Sequence, residues 1–268
     1  QLSSVEEAMS KSMITSLPPL HDRTLAMLGI LQVNKHNEKM QKAKTMADVD
    51  EASTVLREAL DNLKKAFQLN PDNPNVLNHL SNLFFTQKSH EERDWEKIDG
   101  FAQRAKELAQ AAGFKEICAE SCYYLGRSAH ARGKWSAARQ FYTESLIFSH
   151  TFPLPRYALA QLAFHDKDYP SAIEHLTKLD SKIPDLADTK AFLGKIHLLM
   201  AQNTSSSSEY QSHHSNASKL LSRAIQLNPS LLSCHLDLAQ LKERSAPLES
   251  LTSYLQASDL VFQQLVAQ

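Results

Sequence analysis

The sequence predicts an all-α protein built from repeated pairs of antiparallel helices. Only six of its 268 residues are glycine, whereas alanine, leucine and lysine are frequent, and such a composition favours helices. From Gly126, a step of 34 residues reaches Ala160 and a second step reaches Gly194, and a leucine precedes each of them. A period of 34 residues is typical of the tetratricopeptide (TPR) repeat. We therefore predict a right-handed superhelical TPR solenoid of about six helix-turn-helix repeats.

The third repeat carries the pattern most completely. Gly126 is followed at spacings of 12, 4 and 3 by Ala138, Tyr142 and Ser145. Two helices pass close together where small side chains meet, so the pattern predicts that Gly126 faces Ala138. The fourth repeat has the same spacings after Ala160, with Ala172, Leu176 and Leu179.

The same pattern divides most of the chain into repeats. They are predicted near residues 22–73, 74–118, 119–152, 153–186, 187–231 and 232–265. Residues 1–21 are expected to be a non-repetitive lead-in or the end of an upstream repeat. Polar insertions are expected near residues 35–50, 88–93 and 202–214, with loops near 88–93 and 202–214, and a link is expected over about residues 109–117. In the sixth repeat, Leu251 and Leu255 are predicted to lie on the second helix.

Charge and cysteine content narrow the class of protein. The formal net charge of −1 provides no overall field that would attract nucleic acid or an anionic membrane. No apolar run approaches the roughly 18 residues that a membrane span needs. The three cysteines make no disulfide framework and predict core thiols in a reducing compartment. The chain begins at Gln1 rather than methionine, so we expect it to be a fragment of a longer protein.

No residue pattern indicates catalysis. There is no glycine-rich phosphate loop, and Cys118 and Cys122 lack two further ligands for zinc. The pair His213 and His214 stands in a serine-rich segment without an acidic or thiol partner. We therefore expect no enzymatic activity, no cofactor, no metal and no small-molecule substrate.

The first helix of each TPR repeat lines a concave groove, and this groove is the predicted binding surface. Counting along the first helices predicts an aromatic and amide-rich set of partner-binding residues, namely Asn78, Asn82, Phe85, Tyr123, Arg127, Tyr157, Gln161, Phe164 and Lys195. Such a set suits an extended or helical peptide. A chaperone-type clamp for a C-terminal carboxylate is not expected, because Asn78 and Tyr124 stand where that clamp has lysine and asparagine. Trp95 and Trp135 precede second helices and are predicted to be helix-packing residues.

Two segments carry a more specific resemblance. They are NPDNPNVLNHLSNLFF at residues 70–85 and AESCYYLGRSAHARGKWSAARQFYTESLIF at residues 119–148. Both resemble the large TPR scaffold subunit of the RNA polymerase II-associated elongation complex, which is called the polymerase-associated factor complex. The segments LPRYALAQLAFHDKDYPSAIEHL and LDLAQLKERSAPLESLTSYLQAS are similar to the same family. The likeness runs from about Thr24 onward and is weakest at the polar insertions.

The resemblance implies a nuclear, non-enzymatic scaffold. Its partners would be the name-giving and parafibromin-like subunits, and RNA polymerase II through the complex. It implies support of transcription elongation and histone modification, without direct sequence-specific nucleic-acid binding and without a membrane.

Two alternatives stay open beside this interpretation. One is a cytoplasmic TPR adaptor for unrelated peptides. The other is the TPR superhelix of an enzyme whose catalytic domain is absent, such as the glycosyltransferase that modifies nuclear serine and threonine. The superhelix of that enzyme carries a row of asparagines along its groove. In this chain Asn75, Asn78 and Asn82 suggest such a row, but Tyr123 and Tyr157 interrupt it in the next repeats.

Overall fold

A computed structural model describes residues 18–43, 45–86, 90–243 and 246–266. Within these ranges the chain forms twelve α-helices and one 3-10 turn, without a β-strand, as predicted for an all-α TPR solenoid. None of these helices is both long enough and apolar enough to cross a membrane. Residues 1–17, most of the predicted lead-in, lie outside the described residues. The chain divides into two compact units, residues 1–152 and 153–268.

The first unit contains three helix pairs. Its helices are α1 (Pro18–Lys42), α2 (Met46–Leu69), α3 (Pro74–Thr86), α4 (Trp95–Ala112), α5 (Lys115–Ala131) and α6 (Trp135–Phe148). The 3-10 turn, His90–Glu92, lies between α3 and α4. The partners of each pair pack against each other, and α4 also packs against α5. Leu25, Leu63 and Leu80 are at most 2% exposed and form part of a core shared by α1, α2 and α3.

The second unit also contains three pairs. Its helices are α7 (Leu154–His165), α8 (Tyr169–Asp180), α9 (Ala187–Asn203), α10 (Ser207–Leu227), α11 (Leu232–Lys242) and α12 (Pro247–Val266). One core cluster joins α7, α8 and α9 through Ala160, Leu176 and Ile196. A second joins α9, α10 and α11 through Leu198, Leu221 and Leu238. Each pair therefore buries its apolar face against its neighbours in the unit.

The closest helix contacts differ from the sequence prediction. Gly126 was predicted to face Ala138, but a Cβ placed on Gly126 would lie only 2.5 Å from Cε1 of Tyr142. The side chain nearest to Gly126 is therefore the large Tyr142, which lies one turn beyond the predicted Ala138. A tyrosine ring needs the space of the missing side chain, because a packed core leaves few voids. Gly29 and Gly194 make room in the same way for Leu63 and Leu221.

Serine hydroxyls tie several helix pairs together. Ser81 on α3 donates to the carbonyl of Ile98 on α4 at 2.9 Å, and Ser145 on α6 donates to the carbonyl of Ala119 on α5 at 2.6 Å. Both serines are fully buried. A buried hydroxyl needs a partner, and a neighbouring backbone carbonyl supplies it without widening the gap between the helices.

The repeated letters QLNP end two second helices in the same way. The backbone N–H of Asn70 donates to Ala66 and that of Asn228 donates to Ala224, closing the last turns of α2 and α10. The side-chain oxygen of each asparagine then accepts from a backbone N–H two residues later, at 3.2 and 3.1 Å. The asparagine therefore replaces the next helical bond, and the following proline stops the helix.

The polar insertions near residues 35–50 and 202–214 are mostly helical, which corrects the prediction of a polar loop near residues 202–214. Near residues 35–50, α1 continues to Lys42 and α2 begins at Met46, where Thr45 and Asp48 form a capping box. Near residues 202–214, α10 begins at Ser207, and the Ser206 hydroxyl accepts from the N–H of Glu209. Near residues 35–50, the alanine, lysine, glutamate and glutamine residues favour longer helices, and near residues 202–214 the Ser206 cap starts α10.

The other two predicted connections also differ in detail. Between α4 and α5 the expected link over residues 109–117 shrinks to Gly113 and Phe114, with Gly113 at φ 75. Glycine adopts this left-handed conformation without the steric cost of a side chain, so it ends α4 sharply. In the insertion near 88–93, residues 88 and 89 lie outside the described residues and the rest includes the 3-10 turn.

The last helix buries small residues rather than leucines. Leu251 and Leu255 lie on this second helix, as predicted, and are 55% and 58% exposed. Between residues 247 and 262, the buried residues of α12 are Ser250, Ser253 and Ala257. Ser250 donates to the carbonyl of Ala239 at 2.8 Å. The small residues face the partner helix because they allow close approach, and the larger leucines point away.

Candidate peptide-binding groove

The predicted binding residues lie on first helices of the pairs in both units. We call Asn82, Phe85, Tyr123 and Arg127, on α3 and α5, the first groove face. We call Tyr157, Gln161, Phe164 and Lys195, on α7 and α9, the second groove face. Each face is described within its own unit.

The first groove face is centred on the ring of Phe85. The guanidinium carbons of Arg93 and Arg127 lie 4.3 and 4.2 Å from the centroid of this ring, which is the geometry of a cation–π contact. Arg127 also donates to the side-chain oxygen of Asn82 at 2.6 Å. Three of the predicted residues are therefore in direct contact.

Tyr123 extends the same face. Its ring lies 5.9 Å from Tyr142 and 5.5 Å from Phe152, centroid to centroid, and 5.8 Å from the guanidinium carbon of Arg127. Burial raises the pKa of its hydroxyl, so the phenol stays protonated at neutral pH and acts as a hydrogen-bond donor. The aromatic packing holds the ring in one position, and this reduces the entropy cost of binding.

Asn78 is not available to a ligand, which corrects its assignment to the groove. The residue is fully buried between α3 and α5. Its amide nitrogen donates to the carbonyl of Ile117 at 3.3 Å, and its amide oxygen accepts from the Ser121 hydroxyl at 2.8 Å. Because a buried amide must be satisfied, these bonds make Asn78 a structural residue that joins two first helices.

The second groove face is aromatic as well. The rings of Tyr157 and Phe164 lie 5.7 and 5.3 Å from the ring of Phe192 on α9. Burial, and then the charge of Asp188, raise the pKa of Tyr157. Gln161 is exposed between the two aromatic positions, where its amide is open to a ligand.

Lys195 is engaged by a neighbouring helix. Its ammonium group forms an ion pair with the carboxylate of Asp237 on α11. The side chain of Asp237 is only 11% exposed, while that of Lys195 is 39% exposed. The positive charge on the second groove face is thus compensated within the unit.

Sequence reasoning missed several residues of the first groove face. Arg93 had been assigned to a charged insertion, yet it donates to the carbonyl of Phe85 at 2.7 Å and stacks on that ring. Trp95 packs on Phe85 with centroids 6.1 Å apart, in line with the predicted packing role. No spacing rule points to Arg93, because it enters from a connection outside the repeat pattern.

An apolar hollow lies elsewhere in the first unit. It has a volume of about 400 Å³ and is lined by residues of α1, the α2–α3 connection and the start of α5, including Met27, Ile30, Asn75, Phe114 and Ile117. Met27 and Phe114 are 56% and 51% exposed. Of these residues, only Asn75 falls at a groove position of the repeat pattern, so the sequence analysis did not predict this hollow.

The three cysteines are buried and free of disulfides. Burial raises the pKa of the Cys122 thiol to about 12 and that of Cys234 to about 11, so both stay protonated and unreactive at neutral pH. In the described ranges, histidine, cysteine and acidic side chains do not gather in groups of three or more that could hold a metal ion.

Curated proteins with a similar sequence include two CTR9 proteins, whereas no family model matches the chain. The RNA polymerase-associated protein CTR9 of Caenorhabditis elegans is 29% identical over 215 residues, which cover 77% of this chain and 17% of that protein. The protein CTR9 homolog of Arabidopsis thaliana is 23% identical over 179 residues, covering 65% and 16%. The chain thus spans about a sixth of the length of these relatives.

Solved structures show the same fold at low identity. The APC/C hetero-tetramer Cut9–Hcn1 matches with a TM-score of 0.62 and 15% identity, covering 99% of this chain and 52% of that chain. Yeast Tom70 matches with a TM-score of 0.60 and 15% identity, covering 97% and 55%. A tetratricopeptide repeat protein from Parabacteroides merdae has a TM-score of 0.58 and 15% identity, covering 99% and 91%. The solved structures thus show a TPR fold, and the sequence is similar to the CTR9 proteins.

Proposed function

We propose that this chain is a non-enzymatic scaffold segment of the RNA polymerase II-associated elongation complex, the polymerase-associated factor complex. The observation that carries the proposal is the similarity to the CTR9 proteins, one of which is named as RNA polymerase-associated. In this proposal the chain works in the nucleus and binds the name-giving and parafibromin-like subunits. By holding them near the polymerase, it supports elongation and co-transcriptional histone modification.

The two groove faces suit such a role. Both present half-buried tyrosine and phenylalanine rings on first helices, and the first also presents arginine. Tyrosine and arginine are among the residues that most often dominate binding energy at protein interfaces. Their rings are already packed against neighbours, so a bound segment loses little free energy to ordering them.

The buried position of Asn78 weighs against the superhelix of a glycosyltransferase-type enzyme. A ligand-binding asparagine ladder needs amides that face the groove, but the amide of Asn78 is used inside the first unit. Asn75 and Asn82 are then separated by a buried position, and Tyr123 follows on the next first helix. A cytoplasmic peptide adaptor remains the second candidate, since it would use the same two faces.

The test is a pull-down from nuclear extract with this chain as bait, followed by mass spectrometry. We expect subunits of the polymerase-associated factor complex on the wild-type chain. The double variant Tyr123→Ala and Tyr157→Ala should weaken binding of the purified subunits at least about a hundredfold, because each buried anchor is worth about 2 kcal/mol or more. Tyr210→Ala, which truncates an exposed tyrosine on the second helix α10, is the matched control.

Circular dichroism first establishes that the double variant keeps its helices. If it is folded and binds the subunits with unchanged affinity, the interface lies away from the two groove faces. If the wild-type chain recovers no subunit of the complex from nuclear extract but captures unrelated proteins from a parallel cytoplasmic extract through the same tyrosines, the adaptor is the correct function.

A further inference from the structure

The two arginines beside Phe85 are not neutralised within the described part of the chain. Arg127 donates to the neutral amide of Asn82, and Arg93 donates to the neutral carbonyl of Phe85. No ion pair with a carboxylate forms at either guanidinium among the described residues. Residues 87–89, which precede Arg93 and lie outside the described ranges, include no acid.

The nearby acids are occupied or point elsewhere. Asp99 pairs with Arg132, and the carboxylate of Asp94 accepts from the backbone N–H of Lys97 as the cap of α4. Glu91 and Glu92 are exposed on the 3-10 turn and pair with neither arginine. The two cations therefore share one aromatic ring without an internal counter-charge.

This arrangement has a physical cost unless an anion joins it. Two like charges held beside the same ring repel each other, and the repulsion grows as water is excluded from the groove. Each guanidinium has five N–H donors, and here only one donor of each is hydrogen-bonded to the described protein. The remaining planar N–H edges match the two oxygens of a carboxylate.

We propose that Arg93 and Arg127 receive an aspartate or glutamate side chain of the segment that occupies the first groove face. This inference rests on the proposed function of that face as a binding site for a partner segment. The aromatic surroundings, with Tyr123 and Trp95 beside the arginines, favour apolar residues on either side of the acid. The occupant is thus an acidic segment of a partner protein with apolar flanking residues.

Charge complementarity favours a protein segment over nucleic acid. The chain has a formal net charge of −1, and binding of a phosphate backbone requires a stripe of many cations that follows it. The first groove face offers two arginines at one ring. That number fits one or two carboxylates rather than a run of phosphates.

The experiment uses short capped peptides and does not require the natural partner. The side-chain Nε–Hε signals of the arginines are followed by NMR while the whole chain is titrated with acetyl-Leu-Glu-Phe-amide. The twin peptide with glutamine in place of glutamate is the control ligand. The amide cap removes the terminal carboxylate, so that only the side chain carries a negative charge.

We expect the glutamate peptide to shift the signals of Arg93 and Arg127 and the glutamine twin to shift them at least about tenfold more weakly. Arg127→Gln should lower the affinity for the glutamate peptide about tenfold and leave the affinity for the glutamine twin unchanged. Arg127→Lys should restore only part of the loss, since lysine lacks the planar fork of arginine. Arg57→Gln is the matched control, because Arg57 is exposed on the second helix α2 and contacts Thr54.

Three outcomes would overturn the proposal. Equal shifts with both peptides would show that the carboxylate is not recognised, and equal shifts at Arg57 would show non-specific charge attraction. Binding of a phosphoserine twin or of oligouridylate more than about tenfold tighter than the glutamate peptide would assign the site to phosphorylated segments or to RNA. Recovery of polymerase-complex subunits tests the proposed function separately, so either proposal can fail alone.

Discussion

The two groove faces hold their positive charges in opposite ways. On the first, Arg127 bonds a neutral amide and stacks on Phe85, so its charge remains uncompensated by the described residues. On the second, Lys195 is paired with the carboxylate of Asp237. Both faces are aromatic and both carry a cation predicted from the repeat pattern. The difference teaches that a groove cation is open to an acidic ligand only if the next helix does not supply the acid.

The units also differ in their closest helix contacts and in two partly buried histidines, His79 and His197. In the first unit Gly126 makes room for the rigid ring of Tyr142, whereas in the second Gly194 makes room for the flexible side chain of Leu221. Burial lowers the pKa of His79, in the first unit, to about 4. In the second unit burial, and then the neighbouring His213, lower the pKa of His197.

The largest expected effect is acid destabilisation of the first unit. His79 binds a proton near pH 6.5 when unfolded but only near pH 4 when folded, so its contribution to stability is complete above pH 6.5. As the pH falls from 6.5 towards 4, the unfolded chain gains protons first, and up to about 3 kcal/mol is lost. Tryptophan fluorescence during urea unfolding reports on the first unit alone, because Trp95 and Trp135 both lie there.

His79→Gln should flatten this pH dependence in the fluorescence signal. The matching variant His197→Gln should leave the pH dependence measured by fluorescence unchanged. It should reduce only the pH dependence measured by circular dichroism, because that signal includes the second unit. The contrast between the units would be refuted if both variants changed the two signals equally.

Substitution of the contact glycines should have the next largest effect. Gly126→Leu forces a side chain against the ring of Tyr142 and should destabilise the first unit by about 1–3 kcal/mol. Gly194→Leu should cost less, because Leu221 can change rotamer more easily than a packed ring can move. Urea unfolding followed by circular dichroism and fluorescence measures both.

Gly100→Ala is the control for the glycine pair. A Cβ at Gly100 has no neighbour within 4 Å, and alanine favours helix more than glycine, so this change should be neutral or slightly stabilising. A Gly126→Leu variant that unfolds at the parent urea concentration would contradict the close contact with Tyr142.

A smaller effect should follow when Lys195 on the second groove face loses its counter-charge. Asp237→Asn leaves Lys195 without its counter-charge and should cost no more than about 1 kcal/mol, because Lys195 is 39% exposed and solvent screens the pair. The same change should create weak glutamate-peptide-dependent shifts at the backbone signals of α9. If no shift appears, compensation by Asp237 is not what distinguishes the two faces.

The smallest effect is expected from shortening the serine-rich segment. Ser205, Ser207, Ser208, Glu209 and Tyr210 are exposed, although Ser207 onward is helical. Deletion of residues 205–210 removes the first turn of α10 and its cap, and we expect a change of less than about 1 kcal/mol in thermal unfolding. A larger loss would mean that the segment packs on the second unit.

The sequence predicted the fold correctly and the insertions poorly. The 34-residue step marks Gly126 and Gly194 as positions of close approach, and both are. It could not say whether extra residues between helices form loops or longer helices. Lys39 and Glu51 pair at 2.5 Å across α1 and α2, and such contacts between distant residues stabilise the longer helices.

The candidate site was predicted in part. Tyr123, Arg127 and Phe85 were placed on one face by counting helical positions, and their side chains do meet. The same counting assigned Asn78 to the groove, where the structure buries it. A residue's position along a helix specifies the direction of its side chain but not how closely the neighbouring first helix approaches. Counting therefore cannot tell whether an asparagine amide faces the groove or is buried between two helices.

By itself, the sequence determined the all-α TPR architecture, because a period of 34 residues with small residues at fixed spacings allows one way of packing helix pairs. It also determined the residue types on the two groove faces and the similarity to the CTR9 proteins. Only the tertiary structure decided which cations are compensated. Asp237 stands 42 residues beyond Lys195, and Arg93 reaches Phe85 from an insertion, so both contacts depend on how the chain returns to the same face. Charge compensation is a matter of distance in space, and the repeat period carries no information about it.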